Sequence, residues 1–338
     1  MRFLLLPFSW IYAFVIACRN GLYNYEVYKT HHVKKSIGIG NLSMGGTGKT
    51  PLTIYLTHWL IEHKKNVFIL SRGYKRTTTG EIEVKLQHES HEVGDEPLMY
   101  KKRFKENVRV LVSKNRWTGS QKARTQDSEA ILLFDDIFQH RVVKVDFSIV
   151  TTPYNDLFVD DFILPVGRLR EPKTNIKRAN CILITRCPDG MTSNKKQEIE
   201  NKLSSFKKPV FFSSIKYDKF TSIGTEIEAI QKILLVTGIA DNKALRTYLE
   251  RSYELEVLSY PDHYQYTQKD MEEIHQKFGN FANNKSIILT TEKDGVRMLK
   301  FDQFIKDHKW PLYVQPISIE VQDEKEFKSL IKNYVGEV

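Results

Sequence analysis

The 338-residue sequence predicts an α/β fold: an open, mostly parallel β-sheet followed by a second, smaller α/β unit. Three observations support this fold class. Short, continuous apolar runs recur along the chain, as expected for parallel strands covered on both faces. Segments of helical length separate these runs, and a glycine-rich loop follows the first of them. Such sheets bind their ligands at the carboxyl ends of the strands.

The composition is that of a folded, basic protein. Charged residues make up 27% of the chain, which argues against a wholly membrane-embedded protein. The net charge of +10 indicates either an acidic partner or a lysine-rich solvated surface. Cys18, Cys181 and Cys187 cannot form a disulfide framework and lack CxxC or zinc-site spacing, so we expect a reducing, cytoplasmic compartment.

The amino terminus is apolar, because residues 3–18 carry no charge. This run is shorter than the roughly 20 residues that cross a bilayer. We expect residues 1–30 to form a membrane-associating helix and its lead-in, lying in the membrane face. Trp10 and Tyr12 favour that interface, and four basic residues suit an anionic cytoplasmic leaflet: Arg19, Lys29, Lys34 and Lys35. A secretory signal and a buried core helix are the alternatives.

Six apolar runs predict the strands of the larger domain, which we place at residues 31–207. They are 36–40, 67–71, 108–113, 130–134, 147–150 and 181–185. Between the first two strands, residues 50–64 have the length and period of a helix. Residues 208–232 mix aromatic and polar side chains and predict an extended, hairpin-like linker.

A second α/β domain is predicted at residues 233–338. Its strands are expected at 233–236, 254–258, 286–289 and 312–317. We expect this domain to close over the ligand site of the first domain, because closure keeps water away from a bound ligand.

The loop Gly45-Gly46-Thr47-Gly48-Lys49-Thr50 joins the first strand to the helix after it. Its glycines let backbone N–H groups surround phosphate oxygens, and the helix N-terminus adds its positive end. Lys49 then reaches the β- and γ-phosphates, and Thr50 offers a hydroxyl to Mg²⁺. We therefore predict a P-loop NTPase-type sheet that binds ATP and Mg²⁺. The ATP-binding residues are Ser43, Met44, Gly45, Gly46, Thr47, Gly48, Lys49 and Thr50.

Two features bear on this prediction. Ser43 stands where the strict loop pattern has glycine, so a glycine-rich turn with an accidental Lys-Thr is the alternative. Asp135 and Asp136 follow the apolar run 130–134, and a carboxylate at the end of a neighbouring strand is where P-loop enzymes hold Mg²⁺. Paired acids of this kind are also common in solvated loops.

Further short motifs follow the loop in one order along the chain. They are Ser71-Arg72-Gly73-Tyr74, Val93-Gly94-Asp95-Glu96-Pro97, Asn115-Arg116, residues 135–141, residues 167–172, Pro261-Asp262-His263-Tyr264 and residues 290–294. Together with the loop, they resemble the tetraacyldisaccharide 4'-kinases, the lipid A 4'-kinases of Gram-negative bacteria. That family also accepts Ser or Thr at the position of Ser43. Ile137, where the family usually has Gly, and Asp241-Asn242, where many members have Arg-Pro, depart from it.

The resemblance implies transfer of the ATP γ-phosphate to the 4'-hydroxyl of a tetraacylated glucosamine disaccharide 1-phosphate, which gives lipid IVA. It implies a peripheral protein on the cytoplasmic face of the bacterial inner membrane. An acylated, anionic acceptor suits both the apolar amino terminus and the basic charge. We expect a monomer. We also expect no binding to nucleic acid, because the sequence has no basic stripe interleaved with aromatic residues.

A sugar hydroxyl is a poor nucleophile and needs a group that accepts its proton. Asp95 is the candidate base, and His263 is its partner across the cleft, in line with the resemblance. The alternatives are a turn-capping carboxylate and a structural histidine. Lys49 and Arg170 complete the predicted catalytic set, because a guanidinium suits phosphate oxygens.

The remaining candidates surround this set. We assign the acceptor site to Arg72, Tyr74, Arg116, Gln139 and His140, although Tyr74 could be core packing and Arg116 could neutralise phosphate charge. The metal ligands are Thr50, Asp135, Asp136 and Glu171, although Glu171 could instead brace Arg170. Lys293 and Asp294 stay open between adenine contacts and domain packing.

A P-loop partitioning or regulatory ATPase that docks on membranes is the alternative function, and a nucleic-acid-binding ATPase is a third. The partitioning proteins often carry a second lysine early in the loop, where this chain has Met44. They also have no need of the motifs around Asp95, Arg170 and His263.

Overall fold

The computed structural model describes residues 2–336, the side chains of Arg2 and Phe3 excepted; Met1 and residues 337–338, at the outer ends of the predicted domains, lie outside it. The strands are β1 (His31–Gly40), β2 (Val67–Ser71), β3 (Ile82–Glu83), β4 (Arg109–Val112), β5 (Ile131–Asp135), β6 (Val143–Pro153), β7 (Cys181–Thr185), β8 (Val210–Tyr217), β9 (Thr221–Ser222), β10 (Lys232–Thr237), β11 (Glu254–Ser259), β12 (Ser286–Thr291), β13 (Leu312–Gln315) and β14 (Ile317–Val321).

Helices lie between most of these strands. They are α1 (Leu6–Asn24), α2 (Lys49–Glu62), α3 (Ser90–Val93), α4 (Asp95–Phe104), α5 (Arg116–Gln126), α6 (Ser193–Leu203), α7 (Lys243–Leu249), α8 (Gln268–Phe281), α9 (Glu292–Met298), α10 (Asp302–Asp307) and α11 (Glu324–Val335). Short 3₁₀ turns include Arg2–Leu5 and Lys173–Arg178.

The larger sheet has the strand order β14-β8-β7-β6-β1-β5-β2-β4-β3. All its pairs are parallel except those of the edge strands β14 and β3. The strand β1 runs between β5 and β6, so the loop after β1 opens beside the carboxyl end of β5. The prediction of an α/β fold with a large, mostly parallel sheet is confirmed.

The smaller sheet has the order β11-β10-β12-β13-β9, and only its β9–β13 pair is antiparallel. Its core is built from the apolar runs that predicted its strands, with Leu234, Ile288 and Leu312 fully buried beside Trp310. The helix α9 leaves β12 directly and packs close to α4 of the larger sheet.

The chain crosses between the two sheets twice. The predicted single strand at 312–317 is wrong: Pro316 separates β13, in the smaller sheet, from β14, which pairs antiparallel with β8 in the larger one. Proline has no N–H to donate to a ladder, so it ends a strand here. The predicted linker also contains β8, a strand of the larger sheet. A division into two closing units stays a prediction.

The helix α1 has its polar and apolar sides reversed relative to an ordinary surface helix. Ser9 and Asn20 are buried against the protein, whereas Phe8, Trp10 and Phe14 are 61–68% exposed. An ordinary surface helix places its apolar side on the core. Among the described residues, no helix is both long and apolar enough to cross a membrane.

Candidate active site

The glycine-rich loop leaves β1 and enters α2 at Lys49. Gly45 and Gly48 have φ angles of 102° and 85°, which glycine adopts without strain. A Cβ on Gly48 would also lie 2.9 Å from the Thr185 side chain of β7. The glycines therefore allow a tight loop whose exposed part, residues 44–46, meets the positive end of α2. This is an anion-binding arrangement.

The inner side of the loop is held by hydroxyl and amide groups. The Asn41 side-chain amide donates to Thr47 Oγ1 at 2.7 Å, and Thr185 Oγ1 donates to the Thr47 carbonyl at 3.0 Å. Ser43 is buried and its backbone pairs with Leu169. Ser43 and Thr47 therefore shape the loop, while Met44, Gly45 and Gly46 form its open surface.

Asp136 lies between two cations beside the loop. Its Oδ1 is 3.5 Å from Lys49 Nζ and 2.9 Å from Arg170 Nη2. Burial alone would raise the pKa of Asp136, but the charges of Lys49 and Arg170 outweigh it and lower that pKa. The structure thus brings both predicted phosphate-binding cations, Lys49 and Arg170, to the Asp136 carboxylate. A phosphate that enters the site can replace this carboxylate as their partner.

Asp135, one residue earlier, is fully enclosed. Its Oδ2 accepts a hydrogen bond from Tyr100 at 3.1 Å, and its Oδ1 is buried with no hydrogen-bond partner among the described residues. Burial first, and then the charges of Glu96 and Asp136, raise the pKa of Asp135 to about 7. A buried carboxylate oxygen without a partner at a strand end fits a ligand of a hard cation.

Thr50, the predicted hydroxyl ligand, is engaged by the acid that follows Asp95. Thr50 Oγ1 donates to Glu96 Oε1 at 3.1 Å, and Lys293 Nζ donates to the same oxygen. Lys293 lies on α9, so this carboxylate links the smaller sheet to the start of α2. Lys293 therefore packs against the phosphate loop through Glu96.

Glu171 stands apart from these groups. Its side chain is fully buried, and its Oε2 accepts hydrogen bonds from Arg178 and from Asn175, the latter at 2.7 Å. In the described part of the chain, no three His, Cys, Asp or Glu residues converge as a metal site. Mg²⁺ needs only one or two carboxylates when water and phosphates complete its shell. The structure therefore places Asp135 and Asp136 beside the phosphate loop and Glu171 in a separate network with Arg178 and Asn175. The assignment of Thr50, Asp135, Asp136 and Glu171 as metal ligands stays a prediction.

Asp95 and His263 meet as predicted, but through a third residue. His263 Nδ1 is 3.6 Å from Asp95 Oδ2, while Arg297 donates two hydrogen bonds to that oxygen, at 2.9 and 2.6 Å. Arg297 Nη2 is also 3.2 Å from His263 Nδ1. Burial would raise the pKa of Asp95, but the His263 ring and the Arg297 guanidinium beside its carboxylate outweigh burial and lower that pKa. Asp95 is thus an ionised acceptor at neutral pH.

Arg297 was not predicted from the sequence. It lies on α9, is 1% exposed and also donates to Asp294 at 2.7 Å. The signal that could have found it is the spacing Asp294-x-x-Arg297, because residues three apart on a helix share a face. The Asp294 carboxylate holds Arg297 and accepts from the Gly238 N–H at 3.0 Å, and these contacts favour domain packing as its role.

The predicted acceptor residues divide into two groups. Arg72 and Tyr74 are exposed, and the Tyr74 ring centroid lies 6.0 Å from that of His263. Arg116, in contrast, is 2% exposed and donates to the carbonyls of Ser113 and Asp135. It braces the end of β5, so only the first group is open to a bound acceptor.

Gln139 and His140 are partly buried behind the loop. The Gln139 amide donates to the Asn41 carbonyl at 2.8 Å, and His140 Nε2 accepts from the Arg116 N–H at 3.3 Å. Both side chains therefore support the loop and the Asp135–Asp136 turn from behind.

His140 should make stability depend on pH. Burial first, and then the charges of Arg116 and Arg72, lower its pKa from 6.5 to about 4. The unfolded chain then binds more protons than the folded one as pH falls from 6.5 towards 4, so His140 reduces stability progressively over that range. In His140→Gln, which can still accept from the Arg116 N–H, the fall in Tm across this range should be smaller. An unchanged fall would show that His140 does not titrate in this way.

Comparison with known proteins identifies relatives along the whole chain. Residues 1–336 match the family model described as tetraacyldisaccharide-1-P 4'-kinase. The tetraacyldisaccharide 4'-kinase of Flavobacterium psychrophilum is 39% identical, covering 99% of this chain and 97% of the relative. That of Bacteroides fragilis is 33% identical, covering 98% and 93%. The crystal structure of "apo" form LpxK from Aquifex aeolicus in complex with ATP is 27% identical, covers 99% of both chains and has a TM-score of 0.75.

Proposed function

The chain belongs to the tetraacyldisaccharide-1-P 4'-kinase family, and we propose that the site around Gly45–Thr50 and Asp95 carries out that reaction. The protein is an ATP-dependent kinase that phosphorylates the 4'-hydroxyl of tetraacyldisaccharide 1-phosphate. One observation carries the assignment to this site. Asp95 and Glu96 are consecutive, and Glu96 contacts Thr50 of the phosphate loop while Asp95 faces His263 and Arg297. The candidate base is therefore one residue from the nucleotide site.

The direct test supplies labelled ATP and tetraacyldisaccharide 1-phosphate in detergent micelles. Label should appear in the lipid and depend on both the enzyme and the acceptor. ATP hydrolysis without lipid labelling would instead support a membrane-docking partitioning or regulatory ATPase. Stimulation of hydrolysis by nucleic acid would support the third class.

For phosphate binding, the loop's N–H groups and the N-terminus of α2 receive the β- and γ-phosphates. Lys49 and Arg170 form ion pairs with Asp136 in the structure. When ATP binds, they turn to the phosphate oxygens, and their charge stabilises the transferring group. Thr50, Asp135 and Asp136 would hold Mg²⁺. The ion would neutralise charge on the phosphates.

For proton transfer, Asp95 accepts the proton of the 4'-hydroxyl as that oxygen attacks the γ-phosphorus of ATP. The bond from this phosphorus to the β-phosphate oxygen breaks, and ADP leaves. His263 and Arg297 keep the Asp95 carboxylate ionised and oriented, since Arg297 binds Oδ2 through two N–H groups. Arg72 and Tyr74 are the exposed members of the predicted acceptor set, and the Tyr74 ring centroid lies 6.0 Å from that of His263. We assign both to the acceptor. Water is excluded by closure of the smaller sheet's unit over the site.

For membrane contact, the outward side of α1 defines an outer stripe of Phe8, Trp10, Ile11, Phe14 and Val15, each 56–68% exposed. We propose that this stripe enters the cytoplasmic leaflet of the inner membrane, making the protein peripheral. The acylated acceptor resides in that leaflet. Residues 1–50 carry six Lys or Arg and one acid, and such an excess attracts anionic lipid.

Replacing Trp10 and Phe14 by Ser should weaken binding to anionic vesicles by about 10- to 100-fold, because two large apolar side chains no longer leave water. Flotation with vesicles of phosphatidylethanolamine and phosphatidylglycerol measures this. Leu86→Ser, which removes an exposed apolar side chain outside α1, is the control for loss of surface apolarity elsewhere. Equal flotation of the two variants would show that the outer stripe does not contribute to membrane binding.

A further inference from the structure

The protein-facing side of α1 carries polar groups where a membrane anchor needs none. Ser9, Tyr12, Arg19 and Asn20, here the inner stripe, lie within about 100° of one another around the helix axis and so share one side of the helix. If α1 served only to attach the protein to a membrane, it could pack against the rest of the protein through apolar side chains. The polar inner stripe therefore calls for a separate explanation.

Each member of the inner stripe donates a hydrogen bond to the segments that flank the phosphate loop. Tyr12 Oη donates to the Arg170 carbonyl at 3.1 Å, and Arg19 Nη2 donates to the Gln139 carbonyl at 2.9 Å. Ser9 and Asn20 do the same beside them, to the Ile163 carbonyl at 3.1 Å and to Glu171 Oε2 at 3.5 Å. The buried Glu171 carboxylate thus joins α1 to the segment that carries Arg170.

The two residues held by Tyr12 and Arg19 both support Asn41. The Gln139 amide donates to the Asn41 carbonyl at 2.8 Å, and Arg170 Nη2 donates to the Asn41 side-chain oxygen. The Asn41 amide in turn donates to Thr47 within the loop. Two separate lines of contacts therefore run from α1 to Asn41, the first residue after β1.

We infer that α1 is a positioning element of the active site and that Tyr12 and Arg19 are positioning residues for phosphate transfer. They hold the backbones of residues 170 and 139, and so set the Arg170 guanidinium and Asn41. Phosphate transfer requires this exactness, because a shift of about 1 Å in a reacting group can cost about 100-fold in rate. The inference rests on the proposed function, since it concerns how that site is held.

The test compares full-length chains in the lipid phosphorylation assay with ATP and micellar acceptor both saturating, so that membrane recruitment is not limiting. Tyr12→Phe/Arg19→Gln removes both hydrogen bonds to the flanking backbone. Its kcat should fall by about 10- to 100-fold, while equilibrium titration still gives the parent's stoichiometry of ATP binding. The control is Tyr25→Phe/Arg251→Gln, which makes the same chemical changes at two exposed residues.

The outcomes separate the two claims. A kcat equal to that of the control overturns the positioning role of α1. A fall in kcat matched by an equal fall in ATP stoichiometry also overturns it, because partial unfolding would then explain both. Absence of lipid labelling by the parent chain overturns the proposed function itself, whereas labelling by the parent and the inner-stripe variant alike overturns only this inference.

Discussion

Replacing Asp95 by Asn should lower kcat for lipid phosphorylation by about 10²- to 10⁴-fold and leave ATP affinity near that of the parent. The amide keeps the size of the carboxylate and can still accept from Arg297. It cannot take up the proton of the attacking hydroxyl. ATP affinity should persist because Asp95 contacts Arg297 and His263 rather than the phosphate loop. The measurement is kcat with both substrates saturating, together with the Kd for ATP.

Asp262→Asn is the matched control for Asp95→Asn. Asp262 is half exposed, and its Oδ2 lies 4.0 Å from His263 Nε2, so this change removes a negative charge beside the same histidine. It leaves the bond between Arg297 and Asp95 intact, and kcat should stay near the parent value. Turnover of Asp95→Asn close to that of Asp262→Asn would exclude Asp95 as the base.

Features that depend on local chemistry could be predicted from the sequence. The bounds of β2 and β7 were predicted to the residue, because fully buried parallel strands are continuous apolar runs. The phosphate loop could be predicted equally well, because its conformation depends on glycines and on a helix start within a few consecutive residues. The positions of Asp135 and Asp136 at the end of β5 could also be predicted, because they directly follow an apolar run in the sequence.

Features that depend on contacts between distant segments could not be predicted in this way. Arg297 reaches Asp95 across 202 positions of sequence, and Tyr12 reaches residue 170 across 158. Glu171 was predicted either to join the metal ligands or to brace Arg170. Yet consecutive residues can face different surroundings, and its side chain turns to Arg178 while that of Arg170 turns to Asp136. Composition and periodicity carry no information on such pairings.

Replacing Lys49 by Met should lower kcat by about 10²- to 10³-fold, because a preorganised charge at the transferring phosphate is lost. In the structure, Lys49 Nζ lies 3.5 Å from Asp136 and its side chain is only 18% exposed. Methionine fills a similar volume without the charge, so the loop should keep its shape. The measurement is kcat for lipid phosphorylation, with the Tm as a check on folding.

Lys64→Met provides the comparison, because Lys64 is exposed just beyond the other end of α2 and its loss removes the same charge away from the phosphate loop. Its kcat should stay near that of the parent. In Lys49→Met, Asp136 keeps its ion pair with Arg170 and loses the one with Lys49, so ATP must compete with one of these two pairs instead of both. ATP affinity should therefore fall less than kcat. A loss confined to ATP affinity would show that Lys49 binds the nucleotide equally in the ground state and the transition state, and contributes nothing specific to transfer.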